Sequence, residues 1–138
     1  NGGKLVTPHV LEYFTDSDGN IVYSYDTKVV RQVVSEETCK TLTQILEEGV
    51  SGDGGAKNAY VRGYKVAAKT GTSEKFDILD AGGNSYLRVG SCVAFAPADD
   101  PQIAVAVIAE DGGVTGSEIG GGRVAAPIAR QMMEARLK

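Results

Sequence analysis

Tryptophan is absent from this chain, histidine occurs once, and only two cysteines are present in 138 residues. Lone His9, with no second histidine and no clustered cysteines, leaves no ligand set with zinc spacing, so neither a metal nor a cofactor is expected. Cys39 falls in a helical pattern and Cys92 in an apolar strand pattern; both are expected to be buried free thiols acting as small hydrophobes. Long apolar runs are missing too. The longest, Ile103 to Ala109, is far short of the roughly 20 residues that cross a bilayer, and no signal-peptide pattern opens the chain. A soluble piece is therefore expected, with any anchor upstream in a longer parent. Basic charge is also in deficit. Fourteen Lys and Arg against 18 Asp and Glu give a formal net charge of -4, which argues against nucleic acid or an anionic lipid surface as partner. No methionine precedes Asn1, which suggests a piece cut from something longer.

What is present suits one domain, or a large part of one. Hydrophobic residues make up 42% of the chain, enough for a core. Val10 to Tyr25 predicts a β-hairpin, because two apolar runs flank Asp16-Ser17-Asp18-Gly19-Asn20, whose residues tolerate positive φ or bond their own backbone. Ser35 to Glu48 predicts a helix with Ser35 as N-cap, Glu36 and Glu37 at the positive end of the dipole, and Gly49 as the stop. Cys39, Leu42, Ile45 and Leu46 form its apolar stripe. After a loop at Ser51 to Gly55, strands are expected at Tyr64 to Ser73, Arg88 to Ala96 and Gln102 to Ala109. A polar connection over Ser73 to Leu87 joins the first two. The last two are apolar on both alternating faces, so both sheet faces should be covered by something. Gly112 to Gly122 predicts a mobile loop. Arg123 to Arg136 predicts a final helix with Val124, Ile128, Met132 and Ala135 on one face and Pro127 tolerated near the first turn. The order of elements is that of an α+β fold with an antiparallel sheet and flanking helices.

The chemistry centres on Val66-Ala67-Ala68-Lys69-Thr70-Gly71-Thr72-Ser73. Gly63, six residues before Lys69, brings the run close to a phosphate loop. Ala68 stands where the second glycine belongs, however, the intervening residues are strand-like, and Gly71 discourages the helix that should follow. The run also matches the Lys-Thr-Gly strand of penicillin-recognising serine enzymes. A strand lysine lining a cleft supplies positive charge for a carboxylate, and Thr70 and Thr72 can donate hydrogen bonds to the same group. Gly71 permits close approach of a peptide. The Thr72 backbone N–H could serve as an oxyanion donor. On the tetrapeptide alone, an ordinary strand with a surface lysine stays an equal alternative.

Further matches follow in order along the chain. Asn1-Gly2-Gly3 with Pro8, Val34-Ser35 opening a helix that ends at Gly49-Val50, Gly63 to Thr72, Ala94-Phe95-Ala96-Pro97 and Val124-Ala125-Ala126-Pro127 together resemble the carboxy-terminal part of class B penicillin-binding proteins. The glycine that many members place before the lysine is Ala68 here, a minor departure. This resemblance covers nearly all of residues 1–138. It implies a partial penicillin-binding-protein or β-lactamase-like transpeptidase fold and a serine acyl-transfer mechanism. Lys69 would be electrostatic support, and Lys69, Thr70, Gly71 and Thr72 would bind substrate. The Thr72 N–H would form half of the oxyanion hole. The partners it implies are a peptidoglycan stem peptide, added along the strand as a further β-strand, and β-lactam antibiotics. The implied location is the extracytoplasmic face of a bacterial membrane.

No serine in the chain is followed three residues later by lysine, and no S-x-N occurs. On this resemblance the nucleophile would lie upstream of Asn1, in an amino-terminal half of the domain. A fragment of a β-lactamase or β-lactam sensor, and a non-catalytic binding module, are the alternatives. The missing half also leads to the expectation that the isolated piece self-associates.

Overall fold

Asn1 begins the fold with its side chain. Its Oδ1 accepts the N–H groups of Gly3 and Lys4, both at 3.1 Å, and its Nδ2 donates to the Lys4 carbonyl at 2.8 Å. Gly3 sits at φ +82°, and a Cβ there would lie 2.2 Å from the Val34 carbonyl oxygen, so no other residue fits. The computed structural model describes residues 1–76, 79, 81–83, 87–110 and 120–138. They form two compact units, residues 1–41 and 42–138.

The first unit holds two small antiparallel ladders. Strand β1 (Lys4–Val6) pairs with β4 (Val29–Gln32), and β2 (Tyr13–Thr15) pairs with β3 (Ile21–Ser24). The second ladder is the expected hairpin, shortened at its start because Val10 is fully exposed and outside any strand. Its loop is held by Asp16, whose Oδ1 accepts the N–H of Asp18 at 3.0 Å and of Asn20 at 2.9 Å. Hydrogen bonding, that from the Asn20 backbone first, holds this carboxyl below its usual value. Gly19 supplies φ +85° at the turn. Tyr23 packs edge-on against Tyr25, with ring centroids 4.8 Å apart. The β1–β4 ladder has no local signature, because it joins segments more than twenty residues apart.

Helix α1 spans Glu36–Ser51 and runs from the first unit into the second. Ser35 caps it as expected, its Oγ accepting the Thr38 N–H at 3.1 Å. Gly49 does not stop it. Val50 is buried in the core, and that burial outweighs the roughly 1 kcal/mol that a helical glycine costs. Cys39 is half-buried rather than buried, and Leu42 and Ile45 of the expected stripe are exposed. Cys92 is fully buried, which pushes its thiol up, and both cysteines are free.

In the second unit a short 3-10 turn, Lys57–Ala59, precedes a sheet of order β5-β6-β7. These strands are Ala67–Glu74, Arg88–Ala96 and Ile103–Glu110. Their pairing is antiparallel and free of bulges, running Ala67↔Phe95 to Glu74↔Arg88 and Val89↔Glu110 to Ala96↔Ile103. Strand β5 starts later than Tyr64 because Gly63, at φ +89°, turns the chain there, and the Tyr64 hydroxyl reaches the Leu137 carbonyl at 2.7 Å. Most of the connection after β5 is described. Residues 111–119, most of the expected glycine-rich loop, lie outside the described residues.

Helix α2, Ala125–Leu137, covers one face of the sheet. Pro127 falls in its first turn, where no N–H is needed. The buried face is not the expected one. Ala125, Ala126, Ala129 and Met133 are buried, whereas Ile128 and Met132 are largely exposed. Three alanines let the helix lie close on Cys92, Ala94, Ala96 and Val105, and a stripe led by Ile128 would hold it off.

Among the described residues nothing covers the opposite face at Val93 and Ile108. Val93 is 56% exposed and Ile108 75% exposed, and the register makes them diagonal neighbours. Covering a few hundred Å² of such surface stabilises by several kcal/mol at about 25 cal/mol per Å². We expect the isolated chain to self-associate through this face in sedimentation equilibrium, and Ile108→Lys to shift it toward monomer. A wild-type chain that stays monomeric at high concentration and binds no hydrophobic dye would show that the open face tolerates water.

Candidate active site

Strand β5 is an edge strand, and among the described residues no strand pairs with its other side. Its apolar start, Ala67 and Ala68, is buried, and the strand then emerges toward solvent through Lys69, Thr70, Gly71 and Thr72. Directly paired residues of an antiparallel ladder share a face, so the register fixes where each side chain stands. Lys69 opposes Val93 and Gly71 opposes Ser91, on the open face. Thr70 opposes Cys92 and Thr72 opposes Gly90, on the face that α2 covers. The four expected site residues are therefore contiguous but alternate between faces, and only the free edge of β5 is reachable from both.

Lys69 is exposed, and its Nζ donates to the Thr70 carbonyl at 2.7 Å. Among the described residues no carboxylate pairs with it, so its charge is available to an anion. Gly71 is where the strand is thinnest. A Cβ there would sit 2.8 Å from Ser91 Oγ. Nothing local in the chain singles out Ser91, which the ladder places beside Gly71.

A groove of about 270 Å³ borders this strand, lined by Ile45, Leu46 and Gly49 of α1, by Gly55 and Ala56, and by Ala68, Lys69 and Thr70. It combines an apolar helix wall with a lysine and a threonine at one side. Sequence reasoning missed the wall, because Ile45 fitted an ordinary core stripe. It also missed the segment Gly120-Gly121-Gly122. Gly121 donates its N–H to Thr72 Oγ1 at 3.1 Å, and Asn58 Nδ2 donates to the Gly122 carbonyl at 2.8 Å. Three consecutive glycines ahead of a helix were the available signal.

Comparison with known families decides what this strand belongs to. The penicillin binding protein transpeptidase domain matches residues 1–134. The chain belongs to this family. Among its relatives, stage V sporulation protein D of Bacillus subtilis is 37% identical over 134 residues, covering 96% of this chain and 20% of that protein. Peptidoglycan D,D-transpeptidase PbpA of Mycolicibacterium smegmatis is 34% identical over 141 residues, covering 100% of this chain and 27% of that protein. The chain thus spans about a quarter or less of these curated relatives. Penicillin-binding protein A from M. tuberculosis, solved as its ceftriaxone acyl-enzyme, superposes with a TM-score of 0.78 at 29% identity, covering 100% of this chain and 29% of that one. The expected α+β transpeptidase fold is thereby established. No described helix is long and apolar enough to cross a membrane.

Proposed function

We propose that this chain forms the Lys-Thr-Gly wall of a peptidoglycan D,D-transpeptidase site whose serine nucleophile comes from a part of the domain outside these 138 residues. The observation that carries this is the position of Lys69-Thr70-Gly71-Thr72 on an edge of the sheet that, among the described residues, no strand pairs with, Lys69 being exposed and, among those residues, without a carboxylate partner. A peptide ending in D-alanyl-D-alanine would lie along that edge. Lys69 would hold its carboxylate electrostatically, assisted by the hydroxyls of Thr70 and Thr72. The serine oxygen attacks the carbonyl carbon of the terminal peptide bond, the oxyanion is met by the Thr72 N–H, and D-alanine leaves. An amine from a neighbouring stem peptide then takes the acyl group and frees the serine. A β-lactam carries the same carboxylate beside a reactive amide and would acylate the serine without release. Such a site acts outside the cytoplasmic membrane, with the parent anchored there.

The test has two arms. The full-length parent is expected to form a stoichiometric adduct with labelled penicillin, seen by intact mass spectrometry. The 138-residue chain alone is expected to form none, because no serine has lysine three residues on. A stable adduct on any serine of the isolated chain, or none on the parent, would overturn the proposal.

A further inference from the structure

We propose that Gly121 is a positioning residue for Thr72. A threonine hydroxyl has one proton and two acceptor lone pairs. One lone pair of Thr72 Oγ1 receives the Gly121 N–H at 3.1 Å, so the proton cannot point that way. Among the described residues the hydroxyl has no second partner, and Thr72 is itself exposed on the free edge strand. The Gly121 N–H thereby commits this hydroxyl to donate outward, to an anionic ligand on β5. The inference rests on the carboxylate-binding role proposed above for Thr72.

The surroundings hold Gly121 rigidly. It is buried, and a Cβ on it would lie 2.2 Å from the Ser91 carbonyl oxygen and 2.4 Å from that of Gly71. Its backbone therefore presses on both strands of the β5–β6 ladder at the motif itself. Gly122 is equally confined, since its Cβ would lie 2.2 Å from the Gly55 carbonyl oxygen. The carbonyls of Gly120 and Gly121 accept the N–H groups of residues 123–126, so this segment is also the foundation of α2. A donor fixed by a helix start and a sheet together cannot follow a drifting hydroxyl, and the hydroxyl has to follow the donor.

The test uses the full-length parent, penicillin acylation resolved into reversible binding and acylation rate, and amide exchange at Gly121. Thr72→Val is expected to weaken the reversible step about tenfold, the loss of one hydrogen bond to a charged group, and Gly121→Ala, whose Cβ must push its retained N–H away from the hydroxyl, is expected to weaken it by a similar factor. The double variant is expected to be no weaker than the poorer single one, because both act through the same hydroxyl. Thr72→Ser restores binding to within about threefold, and Thr72→Val speeds Gly121 amide exchange about tenfold. Additive losses in the double variant, or unchanged Gly121 exchange in Thr72→Val, would overturn the proposal. Should Gly121→Ala fail to fold, the Thr72 pair and the exchange measurement still decide. A wild-type parent that forms no adduct would sink the transpeptidase assignment, and Gly121 exchange would still report whether the bond holds the hydroxyl.

Discussion

Replacing Lys69 by alanine in the full-length parent is expected to slow acylation by penicillin about a hundredfold to a thousandfold, the usual cost of removing a key electrostatic group from an active site. Two structural facts set the size of this effect. The ammonium stands on an edge strand with no carboxylate partner among the described residues, so no internal ion pair competes for it. Among the described residues its hydrogen-bond partner is the carbonyl of the next residue, 2.7 Å away, which a ligand carboxylate can displace. The side chain is exposed, so the fold should hardly notice the change: surface substitutions of this kind cost within about 0.5 kcal/mol. Stopped-flow acylation together with a thermal melt separates the two consequences. Unchanged acylation would remove Lys69 from the site, and a large loss of stability would show that its role is structural.

The second large effect concerns stability. Met133→Ala is expected to destabilise the sheet–helix unit by about 2–5 kcal/mol, the range for emptying a buried large apolar position. Met133 is fully buried, and it is the largest of the fully buried side chains. It belongs to the cluster that joins α2 to Cys92, Ala94, Ala96 and Val105. The neighbouring Met132 is 47% exposed, so Met132→Ala is the internal control, expected to cost well under about 1 kcal/mol. Urea midpoints of the two variants should differ clearly. Equal midpoints would mean that α2 is not held where its alanine face places it.

Periodicity and order made much of this molecule legible in advance. The three long strands, the loop-held hairpin and the Ser35 cap were all readable, because each rests on short-range chemistry. Where reading failed, long-range packing had decided. The rotation of α2 follows from how closely Ala125 and Ala129 let it approach the sheet, and hydrophobicity alone ranks Ile128 above both. Helix α1 runs through Gly49 because Val50 has a core to enter. The β1–β4 ladder pairs segments that say nothing of each other locally. At the site, the Lys-Thr-Gly run was visible from residue identity. Its alternation between sheet faces needed the register, and the contact of Thr72 with Gly121 spans 49 positions. The functional roles of the four residues rest on the proposal above and on its acylation test.

Gly71 and Gly121 constrain the lineage of this protein in opposite ways. At Gly71 the obstacle to a side chain is a hydroxyl, Ser91 Oγ, which can rotate away or be replaced. An alanine at 71 is therefore reachable by descent, most easily in a lineage that has first changed position 91, and the order of the two mutations matters. At Gly121 the obstacles are carbonyl oxygens of two strands, belonging to the main chain of Gly71 and Ser91. No amino-acid exchange elsewhere removes a main-chain oxygen. Variation can therefore enter β5 through the 71–91 pair, whereas position 121 is closed to any single compensated step.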